Sequence, residues 1–66
     1  MSVVVNGERR VVDEGGDVAD LVKTLGLPPQ AVLVEHNGVA LRPGEWGGRT
    51  LVEGDQVEII RIVAGG

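Results

Sequence analysis

Two Asn-Gly dipeptides, Asn6-Gly7 and Asn37-Gly38, each interrupt a short run of β-branched and aliphatic residues. The tightest hairpin turn needs φ > 0 at both central positions, which Asn tolerates and Gly adopts freely, so each dipeptide predicts a two-residue β-hairpin. Two hairpins in 66 residues leave space for one short helix and one further strand in a single small domain. The first hairpin joins Ser2–Val5 to Glu8–Val12, pairing Val5 with Glu8, Val3 with Arg10 and Met1 with Val12 on one face. Val4, Arg9 and Val11 take the other face. Val3, Val5 and Val12 are assigned to the core, with Arg10 covering them by its aliphatic stem. The opposite parity stays open, because Val4 and Val11 are apolar as well.

The second hairpin joins Ala31–His36 to Val39–Leu41. It puts Val32, Val34, His36, Val39 and Leu41 on one face, with Leu33, Glu35 and Ala40 on the other. Between the hairpins, Asp13-Glu14-Gly15-Gly16 breaks the chain and Asp17 is placed to cap a helix, with Asp20 in its first turn. Val18, Leu21, Val22 and Leu25 follow at helical spacing, and Gly26 with Pro28-Pro29 marks the end. About two turns of helix do not hold alone, so this one must pack on a sheet. His36, beside its turn, reads as a partly exposed strand residue. Trp46, in the loop 42–48, reads as a plug over the edge of the core, with a partner contact as the lesser alternative.

After the turn Glu53-Gly54-Asp55 comes a last strand, Gln56–Val63. Val57 and Ile59 can face the helix; Glu58, Ile60 and Ile62 then face away. With Leu33 and Val4 they form an apolar patch on the uncovered side of the sheet, read here as a docking surface for another protein. One short helix covers only one face, which predicts an α+β fold. Its mixed sheet of four to five strands carries the one main helix on one face. The first and last strands are then central and parallel, the β-grasp or ubiquitin-like arrangement.

Composition removes whole classes of function. With no cysteine and a single histidine, the chain builds neither a thiolate zinc site nor a multi-histidine site, and it holds no thiol nucleophile. A net charge of −4 argues against a nucleic-acid surface. No run reaches membrane-spanning length and no signal core opens the chain, so the cytoplasm is the expected location. A monomer is expected for the protein alone.

What is left is the end of the chain, Val63-Ala64-Gly65-Gly66. Residues 1–63 are expected to form the domain and 64–66 a flexible tail. A diglycine terminus has no Cβ atoms, so it threads narrow channels, and its carboxylate is unhindered. Alone it is a weak signal, since termini are usually poorly ordered.

The whole chain nonetheless resembles the ThiS family, the sulfur carriers of thiamine biosynthesis. The resemblance rests on Val5-Asn6-Gly7-Glu8, on Val18–Leu25 followed by Gly26, on Val34-Glu35-His36-Asn37-Gly38 and on Pro43-Gly44-Glu45-Trp46. It continues through Glu53-Gly54-Asp55-Gln56-Val57-Glu58-Ile59-Ile60 to Val63-Ala64-Gly65-Gly66. Departures are Gly47-Gly48-Arg49 and Arg10, the latter at a position often apolar in relatives. The resemblance implies a carrier acting as co-substrate rather than an enzyme. A ThiF-like adenylyltransferase would activate the Gly66 carboxylate with ATP and magnesium held by that partner. A cysteine desulfurase relay would then supply sulfur to make a thiocarboxylate, for use by a ThiG-like thiazole synthase. Ala64 and Gly65 would thread the tail, and Ile60, Ile62 and Leu33 would dock partners. Carriers for molybdopterin or tRNA thiolation, ubiquitin-like modifiers that conjugate to lysines, and an interaction module with an inert tail are the alternatives.

Overall fold

A computed structural model of the chain describes residues 1–62. Strands β1 (Ser2–Val5) and β2 (Glu8–Val11) form the first hairpin, and β3 (Val32–His36) and β4 (Val39–Leu41) the second. Helix α1 (Val18–Thr24) lies between them, and β5 (Gln56–Arg61) comes last in sequence. Both turns form at the predicted dipeptides: Asn6 and Asn37 sit at φ 50°, followed by Gly7 at 83° and Gly38 at 84°. The register is the expected one, with Val5 opposite Glu8 and Val3 opposite Arg10. Met1 continues the pairing through Val12 N–H to Met1 O at 2.8 Å.

The five strands make one mixed sheet in the order β2-β1-β5-β3-β4. The last strand is therefore central, parallel to β1 and antiparallel to β3. Helix α1 crosses one face. Asp17 caps it through a reciprocal pair: Asp20 N–H donates to Asp17 Oδ1 at 2.8 Å and Asp17 N–H to Asp20 Oδ2 at 3.1 Å. At the other end Gly26 takes φ 71°, with Gly26 N–H on Lys23 O and Leu27 N–H on Val22 O. These are the two bonds of a Schellman stop, which a left-handed glycine makes possible.

The core lies between α1 and the sheet, with Val3, Val18, Val22, Val34 and Val57 fully enclosed. This settles the parity of β1, since Val3 and Val5 are buried. Strand β2 is exposed along its length, so Arg10 stands at the rim of the core instead of over it. Val39 shares a face with buried His36 yet is half-exposed, because it lies on the edge strand β4 beside its turn. The expected loop 42–48 contains a 3₁₀ segment, Pro43–Gly48, whose Trp46 is buried, as a plug should be. The final strand ends at Arg61 rather than Val63. Val63 and the predicted tail Ala64, Gly65 and Gly66 lie outside the described residues.

Candidate functional site

The last strand is built as a mount. Strand β1 stops at Val5, and the side chain of Asn6 then takes the place of the next strand residue. Ile59 N–H donates to Asn6 Oδ1 at 2.7 Å, and Asn6 Nδ2 donates to Ile59 O at 3.1 Å. At the start of the strand, Gln56 N–H donates to Asn37 Oδ1 at 2.8 Å, while Asn37 N–H donates to Gln56 O at 2.7 Å. Each hairpin asparagine thus serves twice, once for its left-handed backbone and once for its amide. Beyond β5, Ile62 N–H donates to Ala31 O at 2.7 Å, so the strand is tied down to the last described residue.

Next to the second turn lies a buried polar cluster. His36 and Asp55 are both almost fully enclosed, and His36 Nε2 lies 2.8 Å from Asp55 Oδ2. Arg49 Nε–H donates to His36 Nδ1 at 3.1 Å, which places the ring proton on Nε2, facing Asp55. The expectation of a partly exposed His36 is therefore corrected: Asp55 and Arg49 satisfy both ring nitrogens, which allows the ring to be buried. With both nitrogens committed, His36 has no free lone pair for proton transfer or a metal. Among the described residues no group of three or more His, Cys, Asp or Glu is placed to hold a metal ion.

Burial would push the Asp55 carboxyl up, but hydrogen bonds from the Asn37 amide, Val52 N–H and His36 overcome it and hold its pKa below the ordinary carboxylate value. A depressed folded-state pKa stabilises the protein fully above the unfolded value, about pH 4, and that contribution is lost as pH falls through the folded value. Urea titrations across the acid range should therefore show a steeper loss in the wild type than in Asp55→Asn. At neutral pH the variant should be about 2 kcal/mol less stable, since it replaces a charged acceptor serving three donors. Identical acid limbs in the two proteins would contradict this role.

The open face of the sheet carries the predicted patch. Leu33 and Ile60 are direct cross-strand neighbours, and Ile62 follows two residues on. Their exposures are 54%, 52% and 46%. Val4 does not join them: it pairs with Gln56, four residues or about 13 Å along the strand from Ile60. Beside the patch, Glu35 sits directly opposite Glu58. Like charges at that spacing repel, so Glu35→Lys should raise stability by about 0.5 kcal/mol, read as a higher urea midpoint at low salt. A lowered midpoint would contradict the pairing.

A mixed sheet with parallel central strands and one helix across a single face defines a β-grasp domain. The ThiS family model matches residues 3–66. The crystal structure of a ThiS thiamine biosynthesis protein from Geobacter metallireducens is 33% identical and superposes with a TM-score of 0.84 over 100% of both chains. The solution structure of a thiamine biosynthesis protein from the same organism gives 0.81, also at 33% identity, over 100% of this chain and 88% of the other. The chain belongs to the ThiS family. A thiazole synthase of Magnetococcus marinus is 33% identical over 66 residues; the chain covers 100% of itself and 20% of that longer protein. No helix among the described residues is long and apolar enough to cross a membrane.

Proposed function

We propose that this protein is a sulfur carrier of thiamine biosynthesis in which Gly66 is the carboxyl terminus and bears the sulfur. The match to the ThiS family over residues 3–66, which takes in Gly65 and Gly66, carries the reading. A carboxylate is a poor electrophile, so it must first be activated. A ThiF-like adenylyltransferase, using its own ATP and magnesium, joins a Gly66 carboxylate oxygen to the α-phosphorus and releases pyrophosphate. A sulfide equivalent then attacks the acyl carbon and expels AMP, leaving a thiocarboxylate. A cysteine desulfurase relay delivers that sulfur as a persulfide, and a thiol reductant supplies the two electrons that cleave its S–S bond, itself ending as a disulfide. The sulfur so formed is anionic and nucleophilic, and a ThiG-like thiazole synthase takes it for the thiazole ring. This chain is co-substrate and not catalyst.

The fold suits that work. The last strand is tied at Asn6 and Ala31, Ala64 and Gly65 follow it in sequence, and the Leu33, Ile60 and Ile62 patch gives partners an apolar surface beside it. That a thiazole synthase contains a stretch similar to this whole chain supports the choice of acceptor. The carrier alone is a monomer of the cytoplasm in this reading.

The test is intact mass. Incubation with the cognate activating enzyme, ATP and a sulfur source is expected to replace one oxygen of the chain by sulfur. No change of mass with an enzyme shown to be active overturns the reading. Attachment to lysines of other proteins replaces it by protein conjugation, and growth of a deletion strain without thiamine reassigns the acceptor.

A further inference from the structure

Helix α1 has seven residues, about 10 Å at 1.5 Å per residue, whereas a six-residue strand such as β5 runs about 20 Å. The helix stops short of one end of its own face of the sheet, the end at which β5 reaches Arg61, and there Leu25 and Leu27 pack over the nearly buried Val32 and Ile59. The result is a groove of about 360 Å³ between the Schellman stop and strands β2, β1 and β5. Its floor is aliphatic, from Leu25, Leu27, Val32 and Ile59. Arg10 and Arg61 stand on its walls, both exposed, and neither is within ion-pair distance of a carboxylate among the described residues.

Two guanidiniums over an apolar floor, with no carboxylate partner among the described residues, are unusual on a chain whose net charge is −4 with only six Lys and Arg in all. The geometry points to an acidic–apolar segment of the activating enzyme as the occupant of this groove, with a carboxylate against Arg10 and Arg61 and an aliphatic side chain on the floor. This rests on the carrier reading above. Arg61 lies opposite Val32, while the next pair, Ile60 and Leu33, faces the other side of the sheet. A partner that takes hold of the root of the tail therefore meets the apolar patch on one face and the arginine groove on the other. A carboxylate fits better than a nucleotide phosphate, because Glu8 at the rim repels a multiply charged anion and the aliphatic floor offers a phosphate nothing. Arginine's planar fork matches a carboxylate with two parallel hydrogen bonds.

Association of the carrier with the activating enzyme, measured by calorimetry at low and high salt, tests this. Arg10→Glu is expected to weaken binding about tenfold at low salt and to flatten its salt dependence. Arg42→Glu, an equal change of charge in the loop after β4, should weaken it much less. Urea unfolding of Arg10→Glu, expected to match the wild type, separates lost contact from lost fold. Equal binding by Arg10→Glu and wild type, or equal weakening by Arg42→Glu, overturns the inference while leaving the carrier function standing. Wild-type carrier that an active enzyme neither binds nor modifies overturns both. Chemical shifts of Arg10 and Leu27 that move with inorganic phosphate or ATP, without enzyme, replace the peptide by a phosphate site.

Discussion

Deleting Gly66 is expected to abolish sulfur loading altogether while leaving the urea unfolding curve of the domain in place. In the proposed function the chemistry depends on one unhindered carboxylate, and moving it back to Gly65 shortens its reach by about 3.5 Å. A reacting carboxylate must lie about 3–3.5 Å from the phosphorus it attacks, so that displacement puts it out of range. Stability is expected to hold because the core is closed by residues from Val3 to Ile59. Gly65→Val separates reach from width: it keeps the length but adds a branched side chain, and should slow adenylation sharply where the channel is narrow. Intact mass and ATP–pyrophosphate exchange read both effects. Full loading of the shortened chain would sink the assignment of Gly66.

Trp46→Ala should unfold the domain at room temperature, or nearly so. Trp46 is 3% exposed and closes the core from the 3₁₀ segment against α1. Truncating a buried Trp costs about 3–5 kcal/mol. A domain below about 70 residues rarely has more than 3–5 kcal/mol to lose. Trp46→Phe should stay folded, because it keeps an aromatic ring and removes an indole N–H that is buried without a partner. Such an unsatisfied donor costs about 1–3 kcal/mol, which offsets much of the lost volume. Trp46 is the only aromatic residue, so circular dichroism rather than fluorescence must follow the unfolding. An alanine variant with the wild-type midpoint would make the tryptophan a surface residue in energetic terms.

The hairpins, their register and the helix stop were legible because each is decided within a few residues. Asn-Gly dictates its turn, Asp17 finds its capping partner three residues on, and Gly26 ends what Val18 begins. The exposed patch of Leu33, Ile60 and Ile62 was legible for a related reason: alternation along a strand states which side chains share a face. The rest depended on contacts between distant segments. Nothing near His36 announces Asp55 or Arg49, so its burial was missed, because a histidine is buried only when something elsewhere satisfies it. Val4 was grouped with Ile60 because alternation gives the face and not the position along it; the stagger of parallel β1 and β5 separates them. Arg10 drew notice as a departure from its relatives, yet its neighbour across the groove, Arg61, became visible only through the sheet order.

The order β2-β1-β5-β3-β4 also governs how the protein comes into being. Strand β5 is synthesised after the other four, yet the sheet closes around it: Val4 near one end of the chain waits for Gln56 near the other. Before β5 leaves the ribosome there are two separate hairpins and a helix with nothing to lie on, and isolated hairpins are marginal at best. Bringing β1 and β5 together spans most of the chain, an entropic cost met before the contact rewards it. Folding therefore waits for β5 and then comes all at once, and a chain truncated ahead of β5 offers no assembled surface to a partner.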